Sequence, residues 1–235
     1  MKIRIKFAKQ GVMKFIGHLD IMRFFQKAMR RAHIDIAFTE GFSPHMIMSF
    51  AAPLGVGLTS TGEYVDIEIR TAISSERAVK QLNDVMVEGM EILSFRQVAD
   101  GKASKAMSLV AAADYTVSFR EGYEPASGWK QKLEEFLSQE TITVVKKTKK
   151  SEVETDIRPM IYSWSLEDEK IHFCVAAGSA ANLKPELIME AFASYAGYEN
   201  SPFALNINRD EVYADVGEDT RVLVSLESLG EEIYE

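Results

Sequence analysis

Three of the four histidines in this 235-residue chain lie in its N-terminal part, beside a loop that could support acid–base chemistry. The loop Thr39–His45 combines a glycine, an aromatic residue, a proline and a histidine. Gly41 supplies backbone freedom, whereas Pro44 fixes its own φ and restricts the residue before it, so the sequence predicts a loop of defined shape. An imidazole with a pKa of about 6.5 suits proton transfer near neutral pH, which makes His18 and His45 the candidate general acid or base.

The same loop also has a purely structural interpretation, in which Phe42 fills the core and His45 is a hydrogen-bonded surface residue. No spacing places a second catalytic group beside His18 or His45. The three N-terminal histidines, including His33, do not match a compact metal-ligand spacing, and the chain has no Gly-rich phosphate loop. Its single cysteine, Cys174, excludes a multi-cysteine metal site within the chain. We therefore predict no metal and no cofactor, and the alternative is a metal site formed by His18, His45 and a carboxylate.

Two basic elements must position these groups, an N-terminal strand and the helix that follows it. Residues Lys2–Lys9 alternate between apolar and basic side chains, which predicts a half-buried strand with one basic face. From His18 to Ala32 apolar residues recur at helical spacing, namely Leu19, Met22, Phe25 and Met29, with Ile21, Phe24 and Ala28 widening the stripe. The basic residues of this helix follow the spacing i, i+4, i+7 and i+8, and therefore share one face: Arg23, Lys27, Arg30 and Arg31.

Charge is unevenly distributed along the chain, whose net charge is −8. Residues 1–50 contain nine basic and three acidic residues, a net charge of +6, so the remaining 185 residues carry −14. Because screening limits each charge to roughly 8–10 Å, a local basic field can attract an anion on an acidic protein. The N-terminal part is therefore the predicted anion-binding surface. The basic run Lys146–Lys150 is followed directly by acidic residues, which leaves both a solvated hairpin tip and an anion site open.

The predicted substrate-binding residues combine the basic helix, its N-terminus and the loop. They are Lys9, His18, Asp20, Arg23, Lys27, Arg30, Arg31, Phe42, His45 and Ser49. Cationic side chains and the free N–H groups of a helix N-terminus are the groups that bind anions in proteins. A helix face that is merely solvated is the alternative interpretation, with His18 and Asp20 tethering the helix start.

The order of predicted elements indicates the fold class. Residues 1–98 read strand, helix, strand, strand, helix, strand, and the second half repeats this order approximately. The sequence thus predicts an α+β protein of tandem ferredoxin-like (βαββαβ) domains with antiparallel sheets. The N-terminal domain, 1–100, carries the basic surface, and the C-terminal domain, 101–235, ends in an acidic tail, Glu227–Glu235, that we expect to be loosely held.

Composition is typical of a folded globular protein, with 46% hydrophobic and 26% charged residues. The N-terminus alternates charged and apolar residues and so lacks the continuous apolar region of a signal peptide. No stretch is long and apolar enough to span a bilayer. We therefore expect a cytoplasmic protein with no membrane partner.

The chain resembles the radical-SAM-associated (radical-SAM-linked) family of bacterial proteins. The residues that carry the resemblance are Phe7, Lys9, Gly11, Phe15, His18–Asp20, Arg23, Arg30–Ala32, Gly41–His45, Ser49–Ala51, Pro53, Leu54, Glu63–Asp66 and Asp156–Pro159. Members occur fused to, or encoded beside, a radical-SAM protein with a cobalamin-binding-type domain, and the family has no established activity. The resemblance implies a radical-SAM partner for which this chain, lacking the three-cysteine cluster signature, would be an accessory module.

Three functions follow as expectations. The first is a non-catalytic binding module that presents RNA or another anionic substrate to the radical-SAM partner through its N-terminal domain. The second is a metal-independent endoribonuclease, similar to CRISPR repeat-cleaving enzymes, with His18 or His45 as the acid–base group. The third is a protein–protein adaptor whose basic face binds an acidic partner.

Overall fold

The computed structural model describes residues 1–101, 104–147, 152–199, 201 and 203–234. By internal contacts the chain forms two compact units. The first contains Met1–Ala113 and Asn208–Glu235, and the second contains Asp114–Ile207. The domain boundary predicted from the sequence lies at residue 100. The C-terminal residues that pack in the first unit are distant from it along the chain, and no local pattern records such packing.

The strands of the first unit follow the order β4-β1-β3, with β2 on the outer side of β3. Their bounds are β1 Lys2–Lys9, β2 Met48–Phe50, β3 Thr59–Glu68 and β4 Met90–Val98. All three pairings, β1 with β3, β1 with β4 and β2 with β3, are antiparallel. Between α1 and β2, Ile36 and Phe38 form isolated antiparallel bridges, with Ile69 and Met46 respectively.

Two helices cover the apolar side of these strands, α1 His18–Arg31 and α2 Ser75–Asn83. Their buried residues join Ile3, Ile5 and Phe7 of β1 in one core. On α1 the buried side is formed by Ile21, Phe25, Ala28 and Met29. Leu19 was predicted to belong to this stripe, but it is exposed, because it precedes Arg23 and Lys27 by one and two helical turns and therefore lies on their side of the helix.

A short turn of helix, α3 Ala106–Leu109, leads into β5 Val110–Phe119, which begins in the first unit and ends in the second. The second unit continues with one helix and then four strands. They are α4 Trp129–Leu137, β6 Thr143–Lys147, β7 Glu152–Asp156, β8 Ile161–Glu167 and β9 Lys170–Ala176. The strands pair as β6 with β7 and β8 with β9. Helix α5 Pro185–Ala196 then leads into β10 Leu205–Asp215. Here the strand order is β10-β5-β9-β8, and β6 pairs antiparallel with β7 in a separate two-stranded sheet.

The C-terminal segment belongs to the first unit. Residues Asn208 and Arg209 of β10 pair in parallel with β3, and β11 Leu223–Ser225 pairs antiparallel with β10. A 3-10 helix, Leu226–Leu229, follows. The expectation of a loosely held tail was wrong, because Glu231 forms a bridge with Gln97 and the backbone of Ile233 exchanges hydrogen bonds with Ser75.

The protein is therefore of the α+β class with mostly antiparallel strands. None of the helices in the described ranges has the length and apolar character that crossing a bilayer requires.

Candidate functional site

The exposed face of α1 is the main candidate surface. Arg23, Lys27, Arg30 and Arg31 are all exposed and share this face, which we call the basic face of α1. Arg23 forms an ion pair with Asp20 at 3.1 Å, and both side chains are about two-thirds exposed, so water screens it strongly. Lys27, Arg30 and Arg31 form no ion pair in the described part of the chain. Their charges are available to a ligand.

Packing on the opposite side of α1 fixes the direction of this basic face. Phe25 is fully buried and its ring lies 4.7 Å from that of Phe7 and 5.5 Å from that of Phe50. Residues one or two turns apart from Phe25 on the same side are also buried. Because a helix with one side held in a core must expose the other, the four cations face solvent as a fixed row about 12 Å long.

The two candidate catalytic histidines lie in different places. The ring of His18 packs edge-on against Phe50, with 5.2 Å between the ring centroids. His45 is exposed, and its Nδ1 lies 3.1 Å from the hydroxyl of Thr39, which also accepts from the His45 backbone N–H. Five residues separate His45 from Phe50 along a nearly extended segment, or roughly 15 Å. The structure therefore does not bring the two imidazoles together.

The loop and edge-strand candidates are also distributed. Phe42 is completely exposed, so the alternative in which it fills the core is wrong. Ser49 is half-buried on β2, opposite Asp66 in the strand register. Within the described ranges, no three His, Cys, Asp or Glu side chains lie close enough together to hold a metal ion.

The basic face predicted for β1 is not exposed to solvent. Lys9 is 2% exposed and donates to the backbone carbonyl of Ile16 at 2.9 Å. Burial lowers its pKa, a shift that the carboxylate of Glu63 opposes and the guanidinium of Arg209 reinforces. Lys9 is thus an internal residue and lies outside any binding surface.

Arg4, the middle cation of β1, is 1% exposed and fully engaged. Its guanidinium forms two hydrogen bonds with Asp66, at 2.9 and 3.1 Å, and donates to the carbonyls of Leu226 and Ser104 at 3.0 and 2.7 Å. Asp66 also accepts from the backbone N–H of Ala106 at 2.7 Å. This arrangement satisfies both charges and ties β1 to the C-terminal segment.

Lys6 forms ion pairs with two carboxylates of the C-terminal segment, Glu211 at 2.7 Å and Glu227 at 2.9 Å. Burial alone would lower the pKa of Lys6, but hydrogen bonds and attraction from the two glutamates outweigh burial and raise it. The hydroxyl of Tyr64 donates to Glu211 at 2.6 Å. Burial and the nearby Glu211 charge raise the pKa of Tyr64 well above its usual range.

A third buried pair joins β3 to β10. Arg209 and Glu63 are each about 6% exposed and lie 2.6 Å apart, and Arg209 also donates to the carbonyl of Ala52. The strands approach so closely that a Cβ at Gly62 would lie 2.5 Å from the carbonyl oxygen of Asp210. These pairings were not predicted from the sequence. The strongly acidic composition of residues 208–235 was a signal for Glu211 and Glu227, but no local signal linked Asp66 to Arg4 or Glu63 to Arg209.

The second basic run lies partly outside the described residues, which end at Lys147 and resume at Glu152 in this part of the chain. In the first unit the basic face of α1 is exposed to solvent, and Phe42 is exposed in a loop of the same unit.

Fold and site together define an α+β protein that presents a basic helix. The chain belongs to a family described as "Uncharacterized protein conserved in bacteria (DUF2344)", whose model matches residues 2–185. No curated protein matches the chain. Among solved structures it is similar to a chain in the crystal structure of a Cbf5-Nop10-Gar1 complex, with 11% sequence identity and a TM-score of 0.44. The similarity covers 89% of this chain and 48% of that one, so this chain spans about half of the length of its structural relative.

Proposed function

We propose that this protein is a non-enzymatic accessory module that binds RNA through the basic face of α1. The observation that carries the proposal is the separation of its cations into two groups. Arg4, Lys6 and Lys9 are held inside the first unit, whereas Lys27, Arg30 and Arg31 are exposed and form no ion pair in the described residues. Exposed cations on a rigid helix bind a polyanion at little cost in conformational entropy.

One feature favours RNA over an acidic protein. Three of the four residues on the basic face are arginines, whose planar guanidinium groups bind phosphate or carboxylate through two parallel hydrogen bonds, so the charges alone fit either partner. Phe42 projects fully into solvent from the loop that follows α1, and exposed aromatic rings stack on unpaired bases. An acidic protein surface would use the same charges but would gain less from an isolated exposed ring.

We also propose that both units are ferredoxin-like. In that fold two crossover helices join strands arranged in the order 4-1-3-2. The order β4-β1-β3-β2 in the first unit and β10-β5-β9-β8 in the second supports this assignment, with the β6–β7 hairpin as an insertion. The radical-SAM partner is a proposal that rests on the resemblance in sequence.

The test is binding of a fluorescent single-stranded RNA of mixed sequence to the purified protein, measured by anisotropy at low and moderate salt. If the four cations each contact a phosphate, affinity should fall about 50-fold between about 50 mM and about 200 mM salt. The variant Lys27→Gln/Arg30→Gln/Arg31→Gln should bind at least about tenfold more weakly at low salt and should show a shallower salt dependence.

The matched control is Arg77→Gln/Lys80→Gln/Lys105→Gln, which removes three exposed cations outside α1 and has the same net charge. We expect it to retain most of the affinity. Equal losses in the two variants would show that only net charge matters, and absence of binding at low salt would overturn the proposal.

Two other results would identify the alternative functions. Binding to poly-L-glutamate but not to RNA would identify a protein adaptor. Cleavage of the RNA in the presence of chelator, abolished by His45→Ala, would identify an endoribonuclease.

A further inference from the structure

The second unit contains a groove of about 520 Å³ that the RNA-binding proposal does not use. One wall is residues 141–145, the start of the β6–β7 hairpin, and the other is helix α5. Successive side chains of an extended segment point to opposite faces. All five of these residues can therefore line one groove only if the groove runs along the backbone edge of the segment. The groove is therefore bounded by the backbone edge of β6.

The hydrogen-bond pattern shows which backbone groups lie on this edge. Ile157 donates to the carbonyl of Ile142 at 2.9 Å, so the backbone groups of Ile142 point toward β7. In an antiparallel pair this direction alternates along the strand, so Thr143 and Val145 direct their N–H and C=O groups away from β7 and toward the groove. In the described part of the second unit β6 pairs with β7 and with no other strand. Its outer edge is open.

Helix α5 presents a second face to this edge. Leu187, Glu190, Ala191 and Tyr195 line the groove at helical spacing, whereas Ile188, Met189, Phe192 and Ala193 are buried on the other side of the helix. Tyr195 is half exposed and its ring lies 5.5 Å from that of Phe136, which closes the floor. The small side chain of Ala191 leaves room for another strand, about 4.8 Å from β6.

The charge of the lining indicates the chemistry of the occupant. Glu190 is exposed, and among the residues that the structure describes it forms no ion pair and is the only charged side chain in the lining of the groove. The remaining lining is apolar or weakly polar. An extended chain that offers backbone groups to Thr143 and Val145, an apolar side chain to Tyr195 and a basic side chain to Glu190 satisfies all of these features.

We propose that this groove binds an extended segment of a partner protein, which adds as a third strand to the β6–β7 sheet. The partner segment carries an apolar residue that packs on Tyr195 and a lysine or arginine that pairs with Glu190. Strand addition between an open edge and a helix gives affinity through main-chain hydrogen bonds and specificity through alternate side chains.

The test is selection of random dodecapeptides, displayed on phage, against the purified full-length chain, followed by anisotropy measurements with the enriched peptides. We expect these peptides to share an apolar residue and a basic residue.

Substitutions in the groove then test where the peptides bind. Ala191→Trp fills the groove and should weaken binding by more than about tenfold. Thr143→Pro removes one N–H on the edge and should act similarly, whereas Thr143→Val keeps the backbone and should bind normally. When the selection is repeated with Glu190→Lys, peptides with a basic residue should no longer be enriched.

Hydrogen exchange supplies an independent measurement, because added peptide should slow exchange at Thr143 and Val145 in the wild type but not in Ala191→Trp. Thermal unfolding of each variant, compared with the wild type, shows that it is folded. The proposal is overturned if no peptide is enriched, or if enriched peptides bind Ala191→Trp as well as the wild type. A wild-type dimer that Ala191→Trp dissociates would also overturn it, because a second copy would then occupy the groove.

Discussion

Strand β1 and helix α1 are adjacent in the chain and equally rich in cations, yet their cations have different roles. On β1, Arg4 and Lys6 are paired with carboxylates inside the first unit and the buried Lys9 donates to a backbone carbonyl, whereas the cations of α1 face solvent. The difference comes from the segments that pack beside β1 in the same unit. Strand β3 supplies the carboxylate of Asp66, and residues 208–235, which contain nine acidic and two basic residues, supply those of Glu211 and Glu227. Periodicity thus indicates which side of an element a charge occupies. It does not indicate what covers that side.

Arg4→Met should give the largest effect on stability. The substitution leaves the carboxylate of Asp66 without its guanidinium partner in a setting where that side chain is only 15% exposed. Breaking a buried pair by removing one partner costs about 3–5 kcal/mol, because the remaining charge stays desolvated. Urea unfolding at neutral pH, followed by circular dichroism, measures this loss in the free energy of unfolding.

The exposed Arg30→Met on α1 is the matched control and should change stability by less than about 0.5 kcal/mol. The double variant Arg4→Met/Asp66→Leu should recover part of the loss, because it removes both charges. If Arg4→Met and Arg30→Met proved equally mild, the contrast between the two regions would be wrong.

Lys6→Met should have an intermediate effect, a loss of about 1.5–3 kcal/mol at neutral pH. Glu211 keeps hydrogen bonds from Tyr64 and from the backbone of Val212, so its carboxylate is less isolated than that of Asp66. The raised pKa of Lys6 means that its stabilisation is fully present below pH 10.5 and is lost as pH rises through the folded value. Melting temperatures measured from about pH 9 to about pH 11 should therefore fall less steeply for Lys6→Met than for the wild type.

Tyr64 also makes the stability of the wild type fall as pH rises. Because its pKa is raised in the folded protein, the unfolded chain loses the phenol proton first, above pH 10.0, and unfolding becomes more favourable. Tyr64→Phe should also flatten the alkaline loss. Lys80→Met removes an exposed lysine whose pair with Asp84 is open to water, and it should keep the wild-type pH dependence. An unchanged slope in both Lys6→Met and Tyr64→Phe would contradict the assignment of the buried charge pairs.

The local elements were largely predictable from the sequence. Alternation located β1 and helical spacing located α1, because burial on one side imposes those periods directly. The exposure of Arg23, Lys27, Arg30 and Arg31 followed from the same pattern. These features depend on residues close together in the chain.

The buried charge pairs were not predictable in the same way. Arg4 finds its partner 62 residues away and Lys6 finds one 205 residues away. No local pattern records such pairings, and an acidic tail is compatible with either a solvated end or an internal cover. The open edge of β6 was also hidden, because the sequence predicts a strand but does not show which of its edges is paired.

Lys9→Met should have the smallest effect, although Lys9 is as buried as Arg4. Within the described ranges Lys9 forms one side-chain hydrogen bond, to the carbonyl of Ile16, and no ion pair with a carboxylate. Replacing it with an apolar side chain of similar length therefore removes a desolvated charge without leaving another one unpaired. We expect the free energy of unfolding at neutral pH to stay within about 1 kcal/mol of the wild type or to rise.

The pH dependence distinguishes this case from that of Lys6. Burial lowers the pKa of Lys9 in the folded protein. As pH falls below 10.5, the unfolded chain therefore binds the proton first, and the free energy of unfolding of the wild type decreases until pH has passed the folded pKa. Any advantage of Lys9→Met should therefore be present at neutral pH and shrink as pH approaches 10.5. A loss of more than about 3 kcal/mol, comparable to that of Arg4→Met, would show that Lys9 is a paired charge and that burial alone decides the role of a cation on β1.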